Sequence, residues 1–142
     1  MKPESAAFME KAREFLVKAQ GMFDHQWPDE AGRAAYLAGL HAAQAFIFET
    51  SGEIAKSHKR VQVEFGRLTK GDPRFDMELR TFLGRAYNLK AIADYGTGSG
   101  SRVSAESAGA AIRVARRFVE CAANFLSANG RAPQAPDATP KL

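Results

Sequence analysis

Apolar residues recur at helical spacing along most of the chain. From about Ser5 to Gln26 they are Phe8, Ala12, Phe15, Leu16, Ala19, Met22 and Phe23, and most charged residues fall off that stripe. Pro3 suits a helix start, where its missing N–H has no intrahelical partner to lose. Trp27-Pro28-Asp29 ends this helix, because proline disfavours helical backbone at the residue before it. A second helix is predicted from Pro28 or Asp29 to about Thr50. Alanine, the best helix former, fills it at positions 31, 34, 35, 38, 42, 43 and 45. Tyr36, Leu40, Ala43 and Ile47 trace one face, widened by Leu37 and Phe48. A helix apolar over so much of its surface is predicted to be the buried centre of the fold.

Ser51-Gly52 marks the end of that helix. Ser57 is placed to cap a third, from about His58 to Thr69. Within it Val61-Gln62-Val63-Glu64-Phe65 alternates with a period of two, a strand pattern that stands between helical flanks without a partner strand. Gly71-Asp72-Pro73 makes a turn. The fourth helix is expected from about Phe75 to Tyr95, with Leu79, Phe82, Leu83, Ala86, Leu89 and Ala93 inward. Gly96 to Ser101 reads as a flexible loop by composition. A last helix runs from near Ser104 to near Asn129 on the face Ile112, Ala115, Phe118, Val119, Ala122, Phe125 and Leu126. Its capping pattern at Ser104 lacks the acidic residue three places on. The pattern predicts an all-α, up-and-down bundle of four or five helices. It forms one domain over residues 1–129, with a disordered, proline-bearing tail over 130–142.

A chain of 142 residues can bury a core without disulfide or metal. The lone cysteine, Cys121, excludes an internal disulfide and a thiolate zinc cluster. It is expected to be a buried small apolar residue in a reducing cytosol. No stretch has the roughly 20 apolar residues of a membrane span, and the N-terminus lacks the apolar run of a secretory signal. A soluble cytoplasmic protein is expected. The net charge of +4 permits an acidic or nucleic-acid partner without selecting one.

Candidate chemistry is sparse. The three histidines, His25, His41 and His58, lack metal-ligand spacing, and no metal or cofactor is expected. His25 lies at a helix end in solvent, and His41 reads as a core-rim histidine bonded to a neighbour. The glycine-rich loop follows a helix rather than a strand and lacks a phosphate-loop lysine. Arg80, Arg85 and Lys90, at steps of five residues, do not share a face of the fourth helix. Arg113, Arg116 and Arg117 share one face of the last helix, either solvated or a docking surface for RNA or an acidic partner. Tyr95, ending the fourth helix, can reach toward Arg85, Lys90 or a histidine.

Three segments carry a resemblance. Arg33-Ala34-Ala35-Tyr36-Leu37-Ala38-Gly39-Leu40-His41-Ala42-Ala43 resembles the second helix of small HEPN proteins. Ser57-His58-Lys59-Arg60-Val61 is similar to that family's hydroxyl-His-Lys helix start. Ala86 to Tyr95 looks like its helix ending in Ala-Asp-Tyr. The resemblance marks Arg33, Tyr36, His41, His58, Asp94 and Tyr95 as family-pattern residues. It implies a helical bundle, commonly a homodimer, often paired with a small nucleotidyltransferase as toxin and antitoxin. Active members are metal-independent ribonucleases with an arginine, four to six residues, then a histidine. Here neither Arg85 nor Lys90 is followed by a histidine at that spacing, so the family's catalytic pair does not carry over.

Three functions stay open at this point. The first is a dimeric interaction module that pairs with a nucleotidyltransferase or binds RNA. The second is a metal-independent ribonuclease toxin with an altered site drawn from Arg85, Lys90, Tyr95, His41 and His58. The third is a bundle that holds a small ligand between its helices.

Overall fold

The structure, a computed structural model, describes residues 1–96 and 102–131, with side chains to Ala128. The expectations for the loop beyond Gly96 and for most of the tail fall outside the described residues. Five helices follow in order: α1 Pro3–Asp24, α2 Pro28–Ser51, α3 His58–Thr69, α4 Met77–Tyr95 and α5 Ala105–Arg131. No strand occurs among the described residues. The alternating Val61–Phe65 segment lies inside α3, where Val61 and Phe65, one turn apart, face the core and Val63 stands exposed.

The termini follow local chemistry. Ser57 Oγ accepts from Arg60 N at 3.0 Å and caps α3. Asp76 Oδ1 accepts from Leu79 N at 3.0 Å and caps α4. α4 therefore begins at Met77, not at the expected Phe75, which is buried in the turn before it. Ser104 caps α5 without the acidic partner, its Oγ accepting from Ser107 N at 3.0 Å. α5 continues to Arg131, past the expected end at Asn129. A glycine costs a helix only about 1 kcal/mol relative to alanine, too little for Gly130 to fix the end. Gly52 ends α2 at φ 76°, a left-handed conformation that favours glycine.

α2 packs against all four other helices. Its alanines are buried, most of them without any exposed surface. The larger volume comes from Phe46, whose ring lies 5.5 Å from Phe65, 5.4 Å from Phe75 and 4.6 Å from Phe125. Phe118 of α5 meets Phe65 at 4.9 Å and Phe82 at 5.5 Å. Each buried phenylalanine contributes roughly 1.5–3 kcal/mol. The surface arginines of α5 hold α4 in place. Arg113 pairs with Glu78 at 3.0 Å, and Arg117 with Asp76 at 2.9 Å and with Glu78. At the opposite end of α4, Asp29 Oδ1 accepts from Val103 N at 2.7 Å and pins the entry to α5 beside the start of α2.

At Gly39 the Phe82 side chain of α4 lies against the backbone of α2. A Cβ there would overlap the Phe82 ring, which is buried and backed by Phe118. Gly39→Ala should destabilise by about 1–3 kcal/mol, since overpacking outweighs the gain in helix propensity. Gly21, in α1, has open space around a built Cβ. Gly21→Ala should instead stabilise by up to about 1 kcal/mol. Urea unfolding of both variants checks the pair. Equal shifts would mean that α2 and α4 do not require the glycine.

Candidate functional site

Side chains from three helices meet where α2, α3 and α4 come together. On α2, Arg33 and Tyr36 sit one turn apart. On α3, His58 occupies the first turn behind the Ser57 cap. On α4, Tyr87, Lys90 and Asp94 recur at i, i+3 and i+7, which places them on one face.

Asp94 is the junction. Its Oδ1 accepts from Arg33 Nε at 3.0 Å and its Oδ2 pairs with Lys90 Nζ at 2.7 Å. The hydrogen bond from Lys90, with Arg33 beside it, holds the Asp94 carboxyl below the usual carboxylate range. The same contact raises the Lys90 ammonium above its ordinary value. Asp94 therefore neutralises part of the positive charge that Arg33 and Lys90 bring.

Next to this ion network the Tyr36 hydroxyl lies 2.7 Å from His58 Nδ1. The Tyr87 ring packs edge-on against Tyr36 at 5.6 Å and lies tilted against His58 at 5.4 Å. Burial pushes the Tyr36 phenol up to about 12, against a hydrogen bond from the Gln62 side chain that lowers it. Burial also lowers His58 below its ordinary value, helped by the Lys90 charge and opposed by Asp94. At neutral pH Tyr36 thus keeps its proton and His58 has none to spare. With the phenol protonated and the imidazole neutral, either the hydroxyl donates to Nδ1 and the ring proton sits on Nε2, or Nδ1–H donates to the phenol oxygen and Nε2 keeps its lone pair. In both tautomers Nδ1 is engaged by Tyr36, and Nε2 is the nitrogen left to meet a ligand.

The structure places the other candidates elsewhere or at the margin. His41 lies on the α1 side of α2, its ring 5.5 Å from Phe15. Gln44 donates to the Ala55 carbonyl at 2.9 Å, which leaves its oxygen to accept from His41 Nδ1 at 2.8 Å. His41 thereby braces the loop after α2. Burial lowers its pKa, opposed by the bond to Gln44. Arg85 projects from a different face of α4 and lines the grooves flanking it. Tyr95 stands 75% exposed, with Lys90 Nζ 5.7 Å from its ring centroid. His25 is exposed, its Nδ1 2.8 Å from the Gly21 carbonyl.

Of the sequence candidates, Arg33, Tyr36, His58, Lys90 and Asp94 come together, Tyr95 adjoins them, and Arg85 and His41 do not. Sequence reasoning missed Tyr87 and Gln62. The signal for Tyr87 was its helical spacing from Lys90 and Asp94. Nothing in the sequence pointed to Gln62. Cys121 is half-buried rather than fully buried, its Sγ donating to the Arg74 carbonyl at 3.3 Å. The face formed by Arg113, Arg116 and Arg117 is not free. Arg113 and Arg117 are committed to α4, and Arg116 donates to Gln20 at 2.9 Å. Among the described residues no three His, Cys, Asp or Glu side chains gather as metal ligands, and no helix is long and apolar enough to cross a membrane.

In comparisons with known proteins, the family model described as "HEPN domain" matches residues 5–125, most of the chain. No curated protein matches.

The raised Tyr36 pKa makes stability depend on pH. Below pH 10 the folded and unfolded chains both hold the phenol proton. Between about 10 and 12 the unfolded chain releases it and the folded chain does not, so stability falls as pH rises. This window removes at most about 3 kcal/mol. Tyr36→Phe should lose less stability than the wild type between pH 9 and pH 11.5, read by urea unfolding midpoints. Equal losses would mean that the phenol ionises as easily folded as unfolded.

Proposed function

This chain belongs to the HEPN domain family, and from that premise we propose that it is an interaction module, which binds at the α2–α3–α4 junction and does not cut there. The state of His58 carries this reading. Its Nδ1 is held by the Tyr36 hydroxyl at 2.7 Å, so one ring nitrogen is committed to a neighbouring phenol and only Nε2 is left to meet a ligand. Lys90 is tied to Asp94 and lacks the two-pronged geometry of an arginine on a phosphate. What remains suits recognition: Nε2 of His58 as a hydrogen-bonding group and two partly neutralised cations. In keeping with the family, the module works as a homodimer, with RNA or a nucleotidyltransferase of a toxin–antitoxin pair as its partner.

A ribonuclease is the second reading. The placement of Lys90 and His58 around one junction favours it, because the imidazole tautomer with Nδ1–H donating to the Tyr36 oxygen leaves the Nε2 lone pair to take a proton. A small ligand held inside the bundle has less support, since the phenylalanine rings fill the interior and the grooves lie at the surface.

A metal-free cleavage assay on purified protein separates the first two. Incubation with single-stranded RNA in EDTA should leave the RNA intact for the wild type, His58→Ala and Lys90→Ala. Cleavage by the wild type that disappears in His58→Ala would replace the binding module with a ribonuclease.

A further inference from the structure

α4 and α5 both lie against α2, and between them a groove of about 320 Å³ stays open at the surface. Its cause is side-chain size. On α4, Phe82, Ala86 and Leu89 follow at i, i+4 and i+7 and share one face. Opposite them α5 presents Ala110, Ala111 and Val114. Alanine side chains stop at Cβ and do not reach across to the α4 row. Ala110 is therefore exposed, and Leu89 and Val114 are only half-buried, although two neighbouring helices carry them. Among the described residues this apolar floor is left uncovered.

Both ends of the groove are closed. At one end Arg113 reaches across from α5 to pair with Glu78 at 3.0 Å. At the other, Leu89 lies against the α2 backbone at Gly32, beside Val103 of the chain entering α5. A peptide helix cannot run through a groove that an ion pair crosses. The volume lies at the small end of the range for small-molecule sites.

Charge selects the head group. Glu78 is the one carboxylate in the described lining, and Arg113 and Arg117 both bond to it. Arg85 also lines the groove. It is exposed and, among the described residues, has no carboxylate within ion-pair distance. Its planar guanidinium presents paired N–H groups at the spacing of the two oxygens of a carboxylate.

We propose that the α4–α5 groove binds a small apolar carboxylate, a short-chain fatty or arylalkanoic acid, with its carboxylate on Arg85 and its body along Leu89 and Val114. An unpaired cation beside an apolar floor needs a ligand with one anionic end and a short apolar body. The site lies on a different face of α4 from the Asp94 junction and goes beyond the binding proposed there, so the two stand or fall separately.

The test is a proton–nitrogen chemical-shift titration of the isotope-labelled full chain with sodium octanoate, kept below micelle formation. Saturable shifts should centre on the amides of Arg85 to Leu89 and of Ala110 to Val114. Octanamide, which lacks the charge, should bind about tenfold more weakly. Hexanoate, shorter by two methylenes, should bind roughly fifteenfold more weakly, about fourfold for each. Arg85→Gln should weaken octanoate binding by about tenfold or more. Ala110→Leu fills the groove from an exposed position and should abolish saturation. Arg80→Gln removes an exposed arginine outside the groove and should bind as the wild type. Matching circular-dichroism melts keep misfolding apart from loss of contact. No saturable shift in the wild type overturns the site. So does equal binding of octanamide, or an equal loss in Arg80→Gln. Sedimentation runs beside the titration: a dimer that Ala110→Leu dissociates and octanoate leaves intact would overturn the ligand and assign the groove to a second copy.

Discussion

The fold depends on α2 being buried along most of its length, from Ala31 to Ile47. An alanine-rich helix of this kind cannot lie on the outside of a bundle, so the other four helices are arranged around it. Small side chains also set the distances. At Gly39 the backbone of α2 comes close enough to α4 for the Phe82 ring to lie directly on it. That approach carries Arg33 and Tyr36 within reach of Lys90, Asp94 and Tyr87. The polar junction is thus a product of close apolar packing, since bulkier residues on α2 would hold the ion pair apart.

The junction is built to be quiet at neutral pH. Asp94 sits between two cations, and the ring of His58 is held by a phenol that burial keeps protonated. Both arrangements favour fixed geometry over proton movement. The charge left over on α4 lies on other faces of the same helix, where Arg80 and Arg85 are exposed and, among the described residues, have no carboxylate within ion-pair distance.

Much of this was legible in the sequence. The helices, the Ser57 cap and the central place of α2 follow from periodicity, alanine content and capping chemistry, which are local. The resemblance to HEPN proteins singled out Arg33, Tyr36, His58 and Asp94, four residues that do meet. Periodicity alone could not pair them, because their contacts cross helices. It also could not place His41, whose neighbourhood within α2 looks much like that of Tyr36; a rotation of the helix sends one toward α1 and the other toward α3 and α4. The arginines of α5 looked free because their carboxylate partners lie far away in sequence.

The two ends of α4 are held by unlike means. Its first turn is capped by Asp76 and latched to α5 by Arg113 and Arg117. Its last turns are only half-buried and meet α2 through the Asp94 junction. Opening the latched end disrupts a cap and several ion pairs together, whereas the far end can fray by a turn at small cost. The helix therefore behaves as a cantilever, anchored beside α5 and compliant at Tyr95, and backbone amides should exchange with solvent fastest toward that tip. A binding surface on the compliant end can adjust to what it meets without disturbing the core that carries it.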